Sequence, residues 1–170
     1  YGWTRRLMAS AVVVPGHTFM ESALVHVPVT MGLVHPVIVL PTTWRSWPDD
    51  TRDAVIAHEQ AHATRRDGLW ATLAHIHRAI HWFNPFSWWL VRHLDALAER
   101  ASDDAALVRG ITPTRYAEIL LDFTTIVSAG QERAAWIVPM ARHSGRDTER
   151  RLDRVLSWKG RPEMKRLHVV

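Results

Sequence analysis

Residues 58–62 read His-Glu-Gln-Ala-His, inside the stretch AVIAHEQAHATRRDGL (54–69), and this pentad limits the possible folds more than any other part of the chain. On an α-helix, positions four apart differ by about 40° in direction, so His58 and His62 project side by side from adjacent turns. Two imidazoles so placed can converge on one metal ion. Glu59 lies about 60° from His62 on the same wheel, near enough to act on a water held there without being a ligand. H-E-x-x-H is therefore two zinc ligands and a general base for peptide-bond hydrolysis. The alternative is an amphipathic helix with surface histidines. Two details favour the site: Ala54, Ala57, Ala61 and Ala63 keep the helix slim enough for another to approach, and the polar group sits mid-helix, poorly placed for a solvated face.

A catalytic zinc site needs a third protein ligand, with one position left open. The segment LAERASDDAAL offers Glu99 and Asp103, four apart on one helix face. Leu90, Leu94, Leu97, Ala101 and Val108 form a separate apolar stripe, and Glu99 lies about 160–180° from its middle. A carboxylate opposite a core stripe is usually solvent-facing. Ala96 and Ala106 flank it here, however, and permit close contact with the alanine-rich first helix. Glu99 can then be the third ligand. Asp103 can accept a hydrogen bond from the far nitrogen of a ligand histidine and fix its tautomer. Asp104 points elsewhere and reads as a surface charge. The rival pair His77 and His81, in HRAIH, encloses no acid and reads as structural. His75 and His93 read as structural or interfacial, and His17, His26, His35 and His168 show no usable spacing.

With 170 residues, 47% of them hydrophobic, the chain is long enough for one compact domain. The absence of cysteine excludes disulfides and thiolate metal sites. From Arg133 onward there are ten basic and four acidic residues, so the basic excess is C-terminal. Such a face suits anionic lipid, an acidic partner or plain solvation. A nucleic-acid-binding domain is disfavoured, because the basic tail has no recognised motif and no interleaved aromatics. No apolar run reaches the roughly 18 residues of a membrane span, and LMASAVVVPG (7–16) lacks a signal-peptide pattern. Nine tryptophans are many for this length. Tryptophan beside arginine suits a membrane–water interface, although core packing accounts for most tryptophans equally well. A piece of a larger membrane protein is the expectation.

The expected class is α+β: a mostly helical domain with a small N-terminal antiparallel β element. It is read as one domain over 1–170, with the β element at about 12–41, a helical catalytic part at about 49–128 and a basic C-terminal helix at about 147–160. Strands near 23–30 and 34–40 fit the β-branched runs, with a turn at Met31-Gly32. Pro28, Pro36 and Pro41 argue for an edge strand. Asp49, Asp50 or Thr51 should cap a first helix ending before Gly68. Further helices should run over 69–80, from Pro85 to about 108 with Gly110 as stop, and from Thr112-Pro113 to about 127. A loop at 129–146 and a last helix in DTERRLDRVLSW complete the reading.

GLVHPVIVLP, IAHEQAHATRRDGLW, HWFNPFSWW and ERASDDAAL, in that order, resemble the M56 metallopeptidases, the protease domains of BlaR/MecR-type antibiotic-sensing transducers. The resemblance covers roughly 23–108, with weaker similarity in ERRLDRVLS. It implies a gluzincin zinc site with His58, His62 and Glu99 as ligands, Glu59 as base and Asp103 hydrogen-bonded behind them. It also implies flanking membrane helices, a lipid surface nearby, a catalytic domain facing the cytoplasm, and a polypeptide substrate that is the protein itself or a transcriptional repressor. Direct nucleic-acid contact is not implied, and an oligomer is possible. Family members often carry cysteine where this chain has Ser102, which is not a ligand position. Membrane proteases of the M48 type are more distant relatives whose late histidine stabilises the oxyanion. RHSGRDTERRLDRV looks somewhat similar, which makes His143 a candidate for that role, with Arg146 or Arg150 as substitutes. The competing readings are a non-catalytic zinc-binding signalling module, against which an intact Glu59 speaks, and an M48-like protease of general proteolysis.

Overall fold

The computed structural model describes residues 6–7, 9–134 and 145–160. Four short strands come first: β1 (Val12–Val13), β2 (Phe19–Ser22), β3 (Val29–Met31) and β4 (Val37–Pro41). A 3₁₀ turn (Thr42–Ser46) leads to helices α1 (Asp49–Arg65), α2 (Asp67–Ile80), α3 (Pro85–Leu107), α4 (Pro113–Ala134) and α5 (Gly145–Leu156). The α+β class holds.

The sheet has the order β1-β2-β4-β3. Strands β1/β2 and β3/β4 pair antiparallel, but β2 and β4 run parallel, so the sheet is mixed where an antiparallel one was expected. The edge assignment of 34–40 is also overturned: β4 lies between β2 and β3. Ile38 and Leu40 face one core cluster with Phe19 and Trp44, and Val39 faces another with Leu7 and Val25. Burial on both faces gives a continuous apolar run instead of an alternating one. Pro36 and Pro41 misled because the first precedes the strand and the second is its last residue, so neither interrupts it. The edges are β1 and β3, the latter preceded by Pro28. Between β3 and β4, Gly32 turns at φ 98°, and a Cβ there would meet the His35 carbonyl oxygen at 2.5 Å, so only glycine fits.

Sequence signals at the helix ends hold where the cap is local. Asn84 accepts a hydrogen bond from the Phe86 N–H at 2.9 Å with Pro85 as first helical residue, and Thr112 does the same for Arg115 ahead of Pro113. Gly110 ends α3 at φ 99°. Helix α1 instead begins behind Pro48 with no side-chain cap, and Asp49 and Asp50 fall in its first turn. Its end is set by Arg66 in the left-handed conformation (φ 54°) and not by Gly68, which lies in the first turn of α2. Helix α4 runs to Ala134, beyond its expected end near 127 and into the expected loop.

The helical core joins Ala54 and Val55 of α1, Ala106 and Leu107 of α3, Tyr116, Ala117 and Ile119 of α4, and Val155 of α5. The alanines of α1 and α3 let these helices pack closely, which brings the histidine pair onto α3.

Candidate metal centre

His58 and His62 point their Nε2 atoms at one another's neighbourhood, 3.1 Å apart. Glu99 enters from α3, with Oε2 3.7 Å from His58 Nε2 and Oε1 3.6 Å from His62 Nε2. Among the described residues, these three form the group able to hold a metal ion. Four ligands held tetrahedrally at about 2.0–2.1 Å from zinc are about 3.3–3.4 Å apart. The histidine–histidine distance of 3.1 Å and the distances of 3.7 and 3.6 Å from the two histidines to separate Glu99 oxygens lie around that value, so the donor types and spacing fit a zinc-sized ion.

Each imidazole is held from behind. With Nε2 turned to the shared point, the Nδ1 of His58 bears the proton and donates to Tyr116 Oη at 2.9 Å; that hydroxyl donates to Asp103 Oδ1, also at 2.9 Å. Asp103 lies 3.4 Å from His58 Nδ1, and the hydrogen-bonded link between them runs through a tyrosine that sequence reasoning did not single out. His62 Nδ1 meets Asp67 Oδ2 at 2.8 Å. Asp67 is in turn held by Arg65, whose guanidinium also reaches the Ala98 carbonyl at 3.0 Å and Ser102 Oγ at 2.6 Å. The left-handed turn at Arg66 folds Asp67 back onto the preceding helix. Nothing in the spacing marks a carboxylate five residues after His62 as its partner.

Asp103 is fully buried. Arg151 of α5 chelates it through Nε (2.9 Å) and Nη2 (2.6 Å), and its Nη1 reaches Glu99 Oε2 at 2.7 Å. Burial alone would raise the pKa of Asp103, but the adjacent His58 imidazole and the hydrogen bonds and charge of Arg151 hold it far below the usual carboxylate range. Burial likewise works against the charge on Arg151, yet Glu99 and Asp103 raise its pKa above the ordinary value. Burial pulls His62 down; the hydrogen bond to Asp67 and the charges of Glu99 and Glu59 outweigh it, and the net shift is upward. Burial and the Asp103 charge push Tyr116 well up.

Glu59 sits beside the pair and accepts a hydrogen bond from Thr30 Oγ1 of β3 at 2.7 Å. His143 lies outside the described residues. Of the arginines expected to substitute for it, Arg150 is exposed on α5 and faces Asp147, whereas its neighbour Arg151 enters the site. Asp104 is not a free surface charge: Arg154 pairs with it at 2.8 Å. His77 and His81 lie with ring centroids 4.6 Å apart and tilted, and among the described residues they form no metal-holding group with a carboxylate. A cleft of about 350 Å³ opens beside His62 and Glu99, lined on its apolar side by Trp70, Ala71, Leu94, Leu97 and Ala98.

A mixed sheet beside helices that bring two imidazoles and a carboxylate together defines an α+β domain with a candidate metal site. The chain belongs to the BlaR1 peptidase M56 family, whose profile it matches over residues 11–155. It is 31% identical over 108 residues to the regulatory protein BlaR1 of Bacillus licheniformis; the match takes in 62% of this chain and 18% of that protein. The chain thus spans less than a fifth of the length of this relative.

Proposed function

We propose that this chain is the zinc-dependent endopeptidase domain of a membrane-bound regulatory protein, and that it hydrolyses a peptide bond in that protein itself or in a transcriptional repressor. The observation that supports this reading is the triangle of His58, His62 and Glu99, with Glu59 beside it. Zinc, when bound there, acts as a Lewis acid toward the scissile carbonyl and toward water. Glu59 takes the proton from the attacking water and returns it to the leaving amine. Thr30 holds one oxygen of Glu59 and leaves the other for that transfer. The sheet edges are β1 and β3, and β3 is the one tied to Glu59, through Thr30; strand addition on β3 would present the scissile bond to that carboxylate. Membrane attachment is supported by the relative's kind and by exposed aromatics at the α2–α3 turn, where Trp82 and Phe83 are 68% and 70% exposed. No helix among the described residues is long and apolar enough to cross a membrane.

Metal analysis and peptide hydrolysis test the proposal together. One zinc per chain is expected in the wild type, almost none in His62→Ala, and full zinc without hydrolysis in Glu59→Ala. Equal zinc content in wild type and His62→Ala would remove the metal site from the account. Undiminished hydrolysis in Glu59→Ala would remove the base.

A further inference from the structure

We infer that Arg151 is a positioning residue for the metal centre: one guanidinium, delivered by α5, sets the orientation of two of the three candidate ligands. The inference rests on the proposed metal reading and adds to it a component from outside the helix pair that carries the ligands.

All three guanidinium nitrogens are engaged, Nη1 with Glu99 at 2.7 Å and Nε and Nη2 with Asp103 at 2.9 and 2.6 Å. Glu99 and Asp103 are one helical turn apart, so a planar fork that spans both permits few rotamers of either. The effect on Glu99 is direct. The effect on His58 runs through the fixed Asp103 carboxylate, the Tyr116 hydroxyl and Nδ1, each link 2.9 Å long. The bridge ties the site to docking of α5, although every candidate ligand lies between residues 58 and 99. Arg154, one turn further along α5, provides an internal comparison. It anchors the same helix to Asp104 and to the Arg100 carbonyl, both at 2.8 Å, and approaches Asp103 only at 3.6 Å.

The sign of the effect separates positioning from simple electrostatics. A guanidinium near a divalent cation opposes its binding by charge, so Arg151 can favour the metal only by arranging the ligands. Zinc affinity should be measured by competition with a chromophoric chelator, in the complete protein, at a temperature where each variant is fully folded. Arg151→Met should bind zinc about 10- to 100-fold more weakly, as removal of a ligand's hydrogen-bonded support does. Arg151→Lys should recover part of the loss, since an ammonium can pair with one carboxylate but cannot span two. Arg154→Met should stay close to wild type. If Arg151→Met folds poorly, the double variant Arg151→Met/Asp103→Asn removes both buried charges and should show the same weakening. Affinity equal to or above wild type in the Arg151 variants, or an equal loss in Arg154→Met, would overturn the positioning role. A wild-type protein that binds no zinc would instead overturn the metal reading beneath it.

Discussion

Replacing Asp103 by alanine should destabilise the metal-free protein severely, and the structure gives the scale. The carboxylate is fully buried and accepts two hydrogen bonds from Arg151 and one from Tyr116. Its removal strands a largely buried guanidinium, left with Glu99, and a buried phenol without an acceptor. Breaking a buried ion pair from one side costs about 3–5 kcal/mol, set against a whole-domain stability of about 5–15 kcal/mol. For a chain of this size each kcal/mol moves Tm by about 2–4 °C, so a fall of about 6–20 °C is expected. Asp103→Asn keeps an acceptor for Tyr116 and should lose less. Asp104→Ala, which breaks the half-buried pair with Arg154, should lose at most about 1 kcal/mol. Thermal melts followed by circular dichroism with chelator present would read all three. The pH dependence has a definite sign. The carboxyl pKa of Asp103 is lower in the folded protein than in the unfolded chain, so its contribution is complete above the ordinary aspartate value of about 3.9 and declines as pH falls below it. Asp103→Asn should therefore flatten the acid limb of the stability curve. An Asp103→Ala protein that melts with Asp104→Ala, or an acid limb unchanged in Asp103→Asn, would refute the claim that this carboxylate anchors α5 to the core.

Asp67→Ala should weaken zinc binding by about 10- to 100-fold through loss of the Nδ1 partner of His62; unchanged affinity would mean that Asp67 only secures the α1–α2 junction. Vesicles containing anionic lipid should bind the protein with a blue shift of tryptophan emission, and added salt should weaken the binding as it screens Arg78 and Arg92. No association at low salt would leave the α2–α3 face to be covered by protein.

The grouping of the candidate ligands was legible because helical geometry translates sequence spacing directly into direction: placing His58 beside His62, and Glu99 beside Asp103, needed only the repeat. Caps at Asn84 and Thr112 were legible for the same reason, being contacts within two or three residues. What could not be read were the partners supplied across the fold. Tyr116 and Arg151 reach Asp103 from 13 and 48 residues away, and no local pattern marks them. Asp67 is close in sequence but depends on a left-handed arginine, a conformation that composition does not announce. The order of the sheet was misread because prolines at the ends of β4 look the same in sequence as prolines on an edge.

Helix α3 shows where pattern reading fails in principle. Its apolar stripe was expected to face the core, yet Leu97 is 44% exposed, Val108 also faces outward and Leu90, Leu94 and Ala101 are only half-buried, while Ser87, Ser102 and Asp103 are fully buried. The inversion requires two compensations. Inside, Asp103 and Ser102 find partners, Arg151 and Tyr116 for Asp103 and Arg65 for Ser102, while the Ser87 hydroxyl has none among the described residues. Outside, Phe86, Trp88 and Trp89 of α3 continue into Trp70, Leu73, Ile76 and Ile80 of α2, all exposed. An apolar face of this extent gains about 25 cal/mol for each Å² removed from water, which favours a cover. Arg78 stands over the Trp88 ring at 4.7 Å, so the face combines aromatic rings with guanidinium groups, the pairing that a headgroup layer accommodates. On the proposed reading, α3 turns Glu99 and Asp103 toward a metal centre and its N-terminal aromatics toward a bilayer surface, so the rule for soluble domains fails at those positions while Val91, Ala106 and Leu107 keep their places in the core.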